Sequence, residues 1–377
     1  MIKTLKYRLS PTKNQQRLLQ CQLNECRWLY NHLLEERKTL YETEKKSIGY
    51  YQQATSLPKL KQQRERLKAV HSQVLQNVAV RVDLAYKAFF RRVKSGDKPG
   101  YPRFKGYDRY DSFTYSQYKM GCQVENNRIK LSKIGTVKIK LHRPLIGTPK
   151  TCNIRRNGNK WFACISVEYE PKPLRKSNKA VGIDVGLESF ATLSTKETIA
   201  NPRFFKIEEK ALAKAQRKMD KQKKGSPERR KAKKVVVRIH ERTKNRRHNF
   251  IHQESRKIVN RFGVICVEKL NTKSMLKNHY LAKSISDVAW NQFATVLSQK
   301  AEDAARQFVA IDPRGTSQKC SQCGTVVKKK LSTRWHNCPI CGVRLHRDYN
   351  ASLNILALGL QSLGNQSVEA PDLSRGE

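Results

Sequence analysis

Three acidic residues lie in sequence contexts that suit metal-dependent chemistry on phosphodiesters. Asp184 lies within the apolar segment 181–186, Glu268 ends the apolar segment 264–268, and Asp348 begins an apolar helical pattern. A carboxylate in an apolar strand is costly unless something compensates its charge, and a divalent cation does so efficiently. Each acid alone could instead cap a loop or favour a helix start through the helix dipole. The recurrence of the pattern favours a shared metal site.

Three oxygen ligands from two strands and a helix can hold two Mg²⁺ or Mn²⁺ ions roughly 4 Å apart. One ion would lower the pKa of a water molecule, and the other would stabilise the leaving 3′ oxygen. The expected reaction is phosphodiester hydrolysis, and the sequence has no P-loop, Ser-His-Asp order or dinucleotide glycine fingerprint. We therefore predict that Asp184, Glu268 and Asp348 are both the catalytic residues and the magnesium ligands.

A second candidate metal site comes from four of the ten cysteines. They form two CxxC pairs with fourteen residues between the pairs: Cys320, Cys323, Cys338 and Cys341. This spacing is close to that of a structural zinc ribbon, and four thiolates fill the coordination sphere of one zinc ion. His336 or His346 could replace a cysteine, but the paired cysteines make this unnecessary, and we expect both to face solvent or nucleic acid. His346 is also a candidate acid–base group beside Asp348.

The charge of the chain indicates its class of partner. The 77 Lys and Arg residues against 31 Asp and Glu give a formal charge of +46, and self-repulsion on this scale opposes compaction unless a polyanion offsets it. The sequence has no long apolar span or lipidation signal, so nucleic acid is favoured over a membrane. Its first residues lack an apolar core of signal-peptide length, which predicts a reducing cell interior without disulfides. The other six cysteines are then expected to be small buried residues.

Two segments are predicted to carry groups that contact nucleic acid. Residues 100–120 interleave aromatic and basic side chains, which suits base stacking with phosphate contacts, although an aromatic core strand is the alternative. Residues 206–247 hold eighteen Lys/Arg against five Asp/Glu in two helical stretches, which favours a phosphate-tracking hairpin over a merely solvated face. The predicted nucleic-acid contacts are Arg103, Lys105, Tyr107, Tyr110, Arg229, Arg230, Lys233, Lys234 and Arg347.

The hydrophobic pattern predicts the elements that position these groups. Alternation of Leu5, Tyr7 and Leu9 predicts a strand, and Ser10-Pro11 is expected to cap the helix after it. A second helix is predicted at 74–93. Four strands are predicted at 128–131, 136–141, 151–156 and 161–169, and their spacing suggests a small β-barrel. The basic, proline-containing stretch 171–179 predicts a domain boundary, with the catalytic half starting near residue 180.

The sequence resembles the TnpB family, the OrfB-type insertion-sequence proteins related to the compact type V CRISPR nucleases. The resemblance covers essentially the whole chain. The matching segments are residues 7–12 with Gln15, 100–105, 182–186, 268–271, 316–318 and 347–351 with Asn354. Family members commonly have an acid at the position of Lys269, and this departure leaves the three carboxylates untouched.

The resemblance implies a multidomain α+β fold, with an N-terminal wedge β-barrel and a RuvC/RNase H-like α/β nuclease domain. The implied domains are the barrel at 1–10 and 100–175, a helical recognition lobe at 11–99, the nuclease domain at 180–315 and 345–362, an inserted zinc ribbon at 316–344, and a flexible tail at 363–377. Asp348 would be the third RuvC carboxylate.

The resemblance further implies an RNA-guided DNA endonuclease that cuts double-stranded target DNA beside a short adjacent motif. Its guide RNA would derive from the transposon end, and its cofactors would be two Mg²⁺ or Mn²⁺ ions and one zinc ion. The expected protein is a monomer or weak dimer in the cytoplasm, associated with the nucleoid. A DNA strand transferase is one alternative. A guided repressor without cleavage is another, and it would be expected to have lost an acid.

Overall fold

The computed structural model describes residues 1–330 and 333–364, apart from the side chain of Asp108. The chain forms two compact units, Met1–Glu170 and Pro171–Glu377. Both helices and strands occur in each unit, which confirms the prediction of a multidomain protein of mixed α and β structure. The tail predicted at 363–377 lies, from residue 365 onward, outside the described residues. In the part of the chain that is described, helices long enough to cross a bilayer are too polar to do so.

The first unit combines three long helices with an antiparallel sheet. The helices are α1 (Lys13–Glu44), α2 (Tyr50–Gln63) and α3 (Ser72–Lys94). The strands are β1 (Ile2–Ser10), β2 (Ser112–Tyr115), β3 (Cys122–Glu125), β4 (Arg128–Leu131), β5 (Gly135–Lys140), β6 (Thr148–Asn157) and β7 (Lys160–Glu168). Their order in the sheet is β2-β6-β7-β1-β5-β4-β3.

One continuous hydrophobic core joins the helices of this unit to its sheet. Leu5, Tyr7 and Leu9 face this core from β1, because alternate residues of a strand lie on the same face. The strand order of the sheet has two ends, with β2 and β3 as its outer strands. The closed barrel predicted from the strand spacing therefore stays a prediction.

The start of α1 differs from the sequence expectation. Thr12 is the N-cap, and its side chain and that of Gln15 exchange hydrogen bonds with the backbone in a capping box. Ser10 cannot cap this helix because it is still part of β1, where it lies opposite Lys138 of β5. The predicted cap at Ser10-Pro11 was wrong by two residues, whereas the predicted strand and the helix at 74–93 are confirmed.

The second unit is built on a mixed sheet that carries most of the candidate site. Its strands are β8 (Ala180–Val185), β9 (Ser189–Leu193), β10 (Thr198–Ala200), β11 (Val264–Glu268), β12 (Gln307–Ile311), β13 (Trp335–Asn337) and β14 (Arg344–His346). Its helices are α4 (Phe204–Asp220), α5 (Pro227–Arg261), α6 (Thr272–Met275), α7 (Ala282–Val288), α8 (Trp290–Asp303) and α9 (Arg347–Ser362). The main sheet has the order β10-β9-β8-β11-β12, and β13 pairs with β14.

The strands β8, β11 and β12 are parallel neighbours, while β9 and β10 run antiparallel. Hydrophobic clusters lie against this sheet on both sides, one with α5 and α8 and the other with α9. Strands covered on both faces need nearly continuous apolar sequence, which is the pattern of β8 and β11. An ionisable residue at the end of such a strand is therefore held in a fixed, largely buried position.

The close packing of α9 on β8 depends on Gly182. A Cβ atom at this position would lie 2.0 Å from the backbone oxygen of Ser352 and 2.6 Å from the backbone nitrogen of Leu356. Both contacts are with the backbone, which cannot move aside without shifting the helix. The absence of a side chain at Gly182 therefore sets how near α9, and the acid at its start, can approach the sheet.

We expect Gly182→Ala to destabilise the protein by about 1–3 kcal/mol, because overpacking of a core forces the backbone apart. Chemical denaturation of the purified variant measures this loss. Gly100→Ala is the matched control, since a Cβ atom there would meet nothing within 4 Å. Equal stability of the two variants would contradict the proposed close contact.

The scattered cysteines follow the expected burial with two exceptions. Cys26, Cys122, Cys152 and Cys266 are buried free thiols, as expected for small apolar residues. Cys164 is half-buried on β7, and Cys21 is exposed, which the sequence interpretation did not anticipate. Cys21 lies on the polar side of α1, away from the stripe of leucines that is buried in the core.

Candidate active site

The fold brings the three acidic residues to one edge of the β8–β11 sheet. Asp184 is the penultimate residue of β8 and Glu268 is the last residue of β11. These strands are parallel, with Ile183 opposite Val267, so both carboxylates lie at the carboxyl ends of neighbouring strands. Asp348 is in the first turn of α9, the helix that packs on β8. Three residues separated by as many as 164 positions thus share one site.

The electrostatics of this site favour a bound cation. Burial raises the pKa of Asp184 well above its usual range, and the carboxylates of Glu268 and Asp348 raise it further, against the opposing charge of Arg347. Burial also raises the pKa of Glu268. Like charges held together in a low dielectric are unfavourable without a counter-ion. A set of carboxylate oxygens is the donor set preferred by Mg²⁺ and Mn²⁺, so these residues fit the predicted ions.

Glu268 is held in place by a residue that the chemical argument from sequence did not identify. The hydroxyl of Thr316, which is 4% exposed, donates a hydrogen bond of 2.5 Å to Oε1 of Glu268. This bond favours the ionised carboxylate and opposes the effect of burial on its pKa. In turn, Nδ2 of Asn354 donates to the backbone oxygen of Thr316 at 2.8 Å. A side chain of α9 therefore positions the loop that orients a carboxylate on β11.

Asp348 forms hydrogen bonds with the two residues that precede it in the sequence. Nε of Arg347 donates to Oδ1 of Asp348 at 3.2 Å, and the backbone nitrogen of Asp348 donates to Nδ1 of His346 at 3.4 Å. His346 is the N-cap of α9. Its suggested acid–base role stays a prediction. Arg347, predicted as a nucleic-acid contact, is half-buried against the carboxylates, where its guanidinium offsets part of their charge.

The four clustered cysteines lie close enough to bind one metal ion. All four sulfur atoms lie within 4.8 Å of one another. Sγ of Cys320 is 3.6 Å from Sγ of Cys341, and Sγ of Cys323 is 3.4 Å from Sγ of Cys338. Tetrahedral zinc with Zn–S bonds of about 2.3 Å requires sulfur separations of about 3.8 Å. This geometry fits a structural zinc ion with four thiolate ligands, and no histidine belongs to the cluster.

The cysteine cluster is joined to the carboxylate site by Asn350 of α9. Its side chain is fully buried, with Nδ2 donating to the backbone oxygen of Lys319 at 2.8 Å and Oδ1 accepting from the backbone nitrogen of Ser321 at 3.0 Å. Asn354 donates to the same oxygen of Lys319 at 2.7 Å. The segment that carries Cys320 is therefore bound directly to the helix that carries Asp348.

His336 lies elsewhere than expected. It is fully buried on β13, and its Nδ1 contacts Nζ of Lys329, so the prediction that it faces solvent or nucleic acid was wrong. It lies opposite Leu345 in the β13–β14 pair, and it is the buried residue between two exposed residues of β13. Burial, together with the charge of Lys329, lowers the pKa of His336 and so favours the neutral ring.

The predicted nucleic-acid contacts differ in exposure. Tyr110 is only 6% exposed and packs in the core of the first unit, so it presents no ring for stacking, contrary to the prediction. Arg229 is largely used within the protein, where Nη1 donates to the backbone oxygens of Met219 and Gln222 at 2.8 and 2.9 Å. Lys105 is half-buried. The exposed members of the set are Arg103, Tyr107, Arg230, Lys233 and Lys234.

We expect Asp184→Asn to raise the Tm of the protein when zinc is retained but Mg²⁺ and Mn²⁺ are absent. Because the folded-state pKa of Asp184 lies above the unfolded value of about 3.9, this residue costs stability above that pH, and the cost grows up to the folded pKa. The gain in Tm should therefore be present at pH 7 and shrink towards pH 4.

Thermal unfolding between pH 4 and pH 8 tests this expectation, and added Mg²⁺ should stabilise the wild type more than the variant. Glu125→Gln is the control, because Glu125 is an exposed acid at the end of β3 in the first unit. A variant that is less stable than the wild type at pH 7 without Mg²⁺ would argue against a strained carboxylate cluster.

Comparison with known proteins identifies the family of this chain. A family model described as OrfB_IS605, "Probable transposase", matches residues 164–279. A model described as the Cas12f1-like TNB domain matches residues 290–355, and the OrfB helix-turn-helix domain matches residues 1–46. A protein of Streptomyces pristinaespiralis, provisionally named RNA-guided DNA endonuclease, is 34% identical over 95% of this chain and 89% of its own length. The chain belongs to the TnpB family.

Two further relatives are similar to this TnpB-family chain over different shares of its length. InsQ of Escherichia coli K12, which has the same provisional name, is 29% identical over 95% of this chain and 92% of its own length. The TnpB-like protein L770 of Acanthamoeba polyphaga mimivirus is 25% identical over 59% of this chain and 46% of its own length. The family resemblance carried by the sequence motifs is thereby confirmed.

Proposed function

We propose that this TnpB-family protein is an RNA-guided DNA endonuclease with a single hydrolytic site at Asp184, Glu268 and Asp348. The observation that carries the proposal is the convergence of these three carboxylates, two of them with raised pKa values, at one edge of a sheet. The names of the two full-length relatives support the RNA-guided activity, and an intact set of acids argues against a repressor that only binds.

The roles of the protein groups follow from their contacts. The three carboxylates would hold the divalent ions, which when bound supply an activated water and stabilise the charge on the leaving oxygen. Thr316 orients Glu268 through its hydroxyl, and this hydrogen bond opposes the effect of burial on the pKa of Glu268. Arg347 offsets part of the carboxylate charge through its ion pair with Asp348. The fold holds these charged groups in place before the substrate binds. Such electrostatic preorganisation contributes much of the rate enhancement of many enzymes.

The proposal extends to the domain assignment. The order β10-β9-β8-β11-β12, with three antiparallel strands followed by two parallel ones, supports a RuvC/RNase H-like core. The ribbon at 316–344 would be inserted between β12 and α9, and its cysteines would hold zinc. In the first unit, the antiparallel sheet would form the wedge and α1–α3 the recognition lobe.

A basic groove in the first unit supports the assignment of this unit to RNA and heteroduplex binding. The groove has a volume of about 770 Å³. The cationic and aromatic residues that line it are Lys13, Arg17, Arg27, Arg64, Arg66, Trp28 and Tyr107. The guanidinium of Arg64 lies 4.3 Å from the ring centre of Trp28, and that of Arg27 lies 5.8 Å from the ring centre of Tyr107. Cations beside aromatic faces suit a polymer of phosphates and bases.

The cationic excess of α4 and α5 supports a second phosphate contact. Part of it is neutralised internally, since the largely buried Glu208 pairs with Arg242 at 2.5 Å and with Arg246 at 3.1 Å. Arg230 and Lys234 are exposed on the first turns of α5. Exposed cations along a helix bind the backbone of nucleic acid without regard to sequence.

Guided cleavage should depend on a copurifying RNA. Protein produced together with its flanking DNA is expected to carry a discrete RNA, whose sequencing identifies guide and scaffold. The complex should cut DNA that matches the 3′ segment of that RNA only beside a short fixed motif, and ribonuclease added before the DNA should abolish cutting. Equal cutting of arbitrary duplex without RNA would refute the guided function. Joined DNA products in place of cut ends would favour a strand transferase instead.

A further inference from the structure

The helices of the first unit surround an aromatic pocket that lies outside the carboxylate site, the ribbon and the basic groove. Its volume is about 350 Å³, towards the lower end of the roughly 300–1,000 Å³ typical of small-ligand sites. Five rings line it, Tyr41 from α1, Tyr86, Phe89 and Phe90 from α3, and Tyr101 from the segment that follows. The pocket thus has the size of a single planar group.

The pocket is open to solvent although its walls are aromatic. Tyr41, Phe90 and Tyr101 are 58%, 59% and 45% exposed. Neighbouring rings fix one another, since Phe89 and Tyr101 pack edge to face at 5.4 Å and the hydroxyls of Tyr86 and Tyr101 lie 2.9 Å apart. Rings held in place but left exposed bind planar partners at little cost in side-chain entropy.

A buried guanidinium at the pocket has an unused donor. Arg37 is 7% exposed and lines the pocket, with its guanidinium carbon 5.2 Å from the ring centre of Tyr86. Nε donates to Gln53 at 2.7 Å and Nη1 donates to Asp83 at 3.3 Å. Nη2 is buried and has no hydrogen-bond partner among the described residues. A buried donor without an acceptor costs roughly 1–3 kcal/mol, so a ligand that brings an acceptor is favoured.

We propose that this aromatic pocket binds one unstacked nucleobase, a guanine, of the nucleic acid held by the first unit. The rings supply stacking faces, which every base can use, and Nη2 of Arg37 supplies a donor for O6 of guanine. Adenine offers an amino group in place of O6, so it pairs less well with a guanidinium. The proposal rests on the proposed function only in requiring that the chain binds nucleic acid.

Photo-crosslinking of the full-length protein–RNA complex tests the proposal and separates two sources of the base. In one arm the bound RNA contains 6-thioguanine, and in the other the target DNA contains it. Mass spectrometry should locate crosslinks at Tyr41, Phe90 or Tyr101 in one arm, which identifies the strand. Crosslinks in both arms that map only to other residues would overturn the proposal.

Exposed ring residues provide variants that need not disturb the fold. Tyr41→Leu and Phe90→Leu are expected to lower the yield of pocket crosslinks at least tenfold. Tyr51→Leu is the matched control, because Tyr51 is 82% exposed on α2 of the same unit and does not line the pocket. Unchanged yields in both pocket variants, or an equal loss in Tyr51→Leu, would also overturn the proposal.

The preference for guanine and the guided cleavage are measured on the same protein–RNA complexes. Replacing the crosslinked guanine by adenine should weaken binding of that strand about tenfold in the wild type and leave Phe90→Leu nearly unaffected. No base preference in the wild type would refute the assignment to guanine. Guided cleavage without pocket crosslinks would refute this inference alone, whereas pocket crosslinks without guided cleavage would refute the proposed function alone.

Discussion

Asp184→Ala, Glu268→Ala and Asp348→Ala are each expected to lower the rate of DNA cleavage by more than about 100-fold. Loss of an outer partner of a metal ligand typically costs roughly 10–100-fold, and loss of a ligand itself should cost more. Nucleic-acid binding should be retained, because it depends on cations outside this site. Initial cleavage rates in Mg²⁺, together with equilibrium binding of the same substrates, measure the two effects separately.

Glu125→Ala is the control for this series, because it removes an exposed acid at the end of β3 in the first unit. It should cut at a rate close to that of the wild type. Near-wild-type cutting by Asp184→Ala, Glu268→Ala or Asp348→Ala would rule out the proposed site. Loss of binding in step with loss of cutting would indicate misfolding, which the Tm of each variant would reveal.

Cys323→Ser and Cys338→Ser should each remove the zinc ion from the protein and also reduce cleavage at least tenfold. Zinc binding contributes much of the folding free energy of a small ribbon, because such a ribbon lacks a large core of its own. Asn350 and Asn354 connect the ribbon to the helix that bears Asp348, and Thr316 connects it to Glu268. Loosening of the ribbon should therefore displace both carboxylates.

Metal analysis should give one zinc ion per wild-type chain and less in the two variants, with a lower Tm. Cys21→Ser is the control, since Cys21 is an exposed thiol outside the cluster, and it should keep both zinc and stability. Purified active protein without zinc would contradict the prediction. Zinc loss with unchanged cleavage would show that the ribbon does not position the carboxylates.

The local hydrophobic pattern explains which strands and helices could be predicted from the sequence. The alternation in β1 and the apolar segments of β8 and β11 reflect burial on one face and on both faces, and such periodicity is visible in the sequence. By contrast, α2 was missed, because it contains Pro58 and has few buried residues. Its stability comes from packing on its neighbours, which local propensity does not report.

The aromatic segment at 100–120 shows where such patterns stop being informative. Tyr107 is 53% exposed and Tyr110 is 6% exposed, although both occur in the same mixture of aromatic and basic residues. The difference arises because the short helical turn Tyr107–Arg109 ends at Tyr110, whose ring then packs between α1 and α3. Burial of an individual ring depends on these tertiary neighbours.

By itself, the sequence determined the types of candidate metal ligand, the spacing of the two CxxC pairs and the family motifs. Donor chemistry and short-range spacing belong to the chain before it folds. Tertiary structure decided which acids meet, since parallel pairing of β8 with β11 and the contact of α9 at Gly182 join residues far apart in sequence. It also decided the role of Thr316 and the unused donor of Arg37. Both depend on hydrogen-bond distances and burial, which exist only after long-range packing.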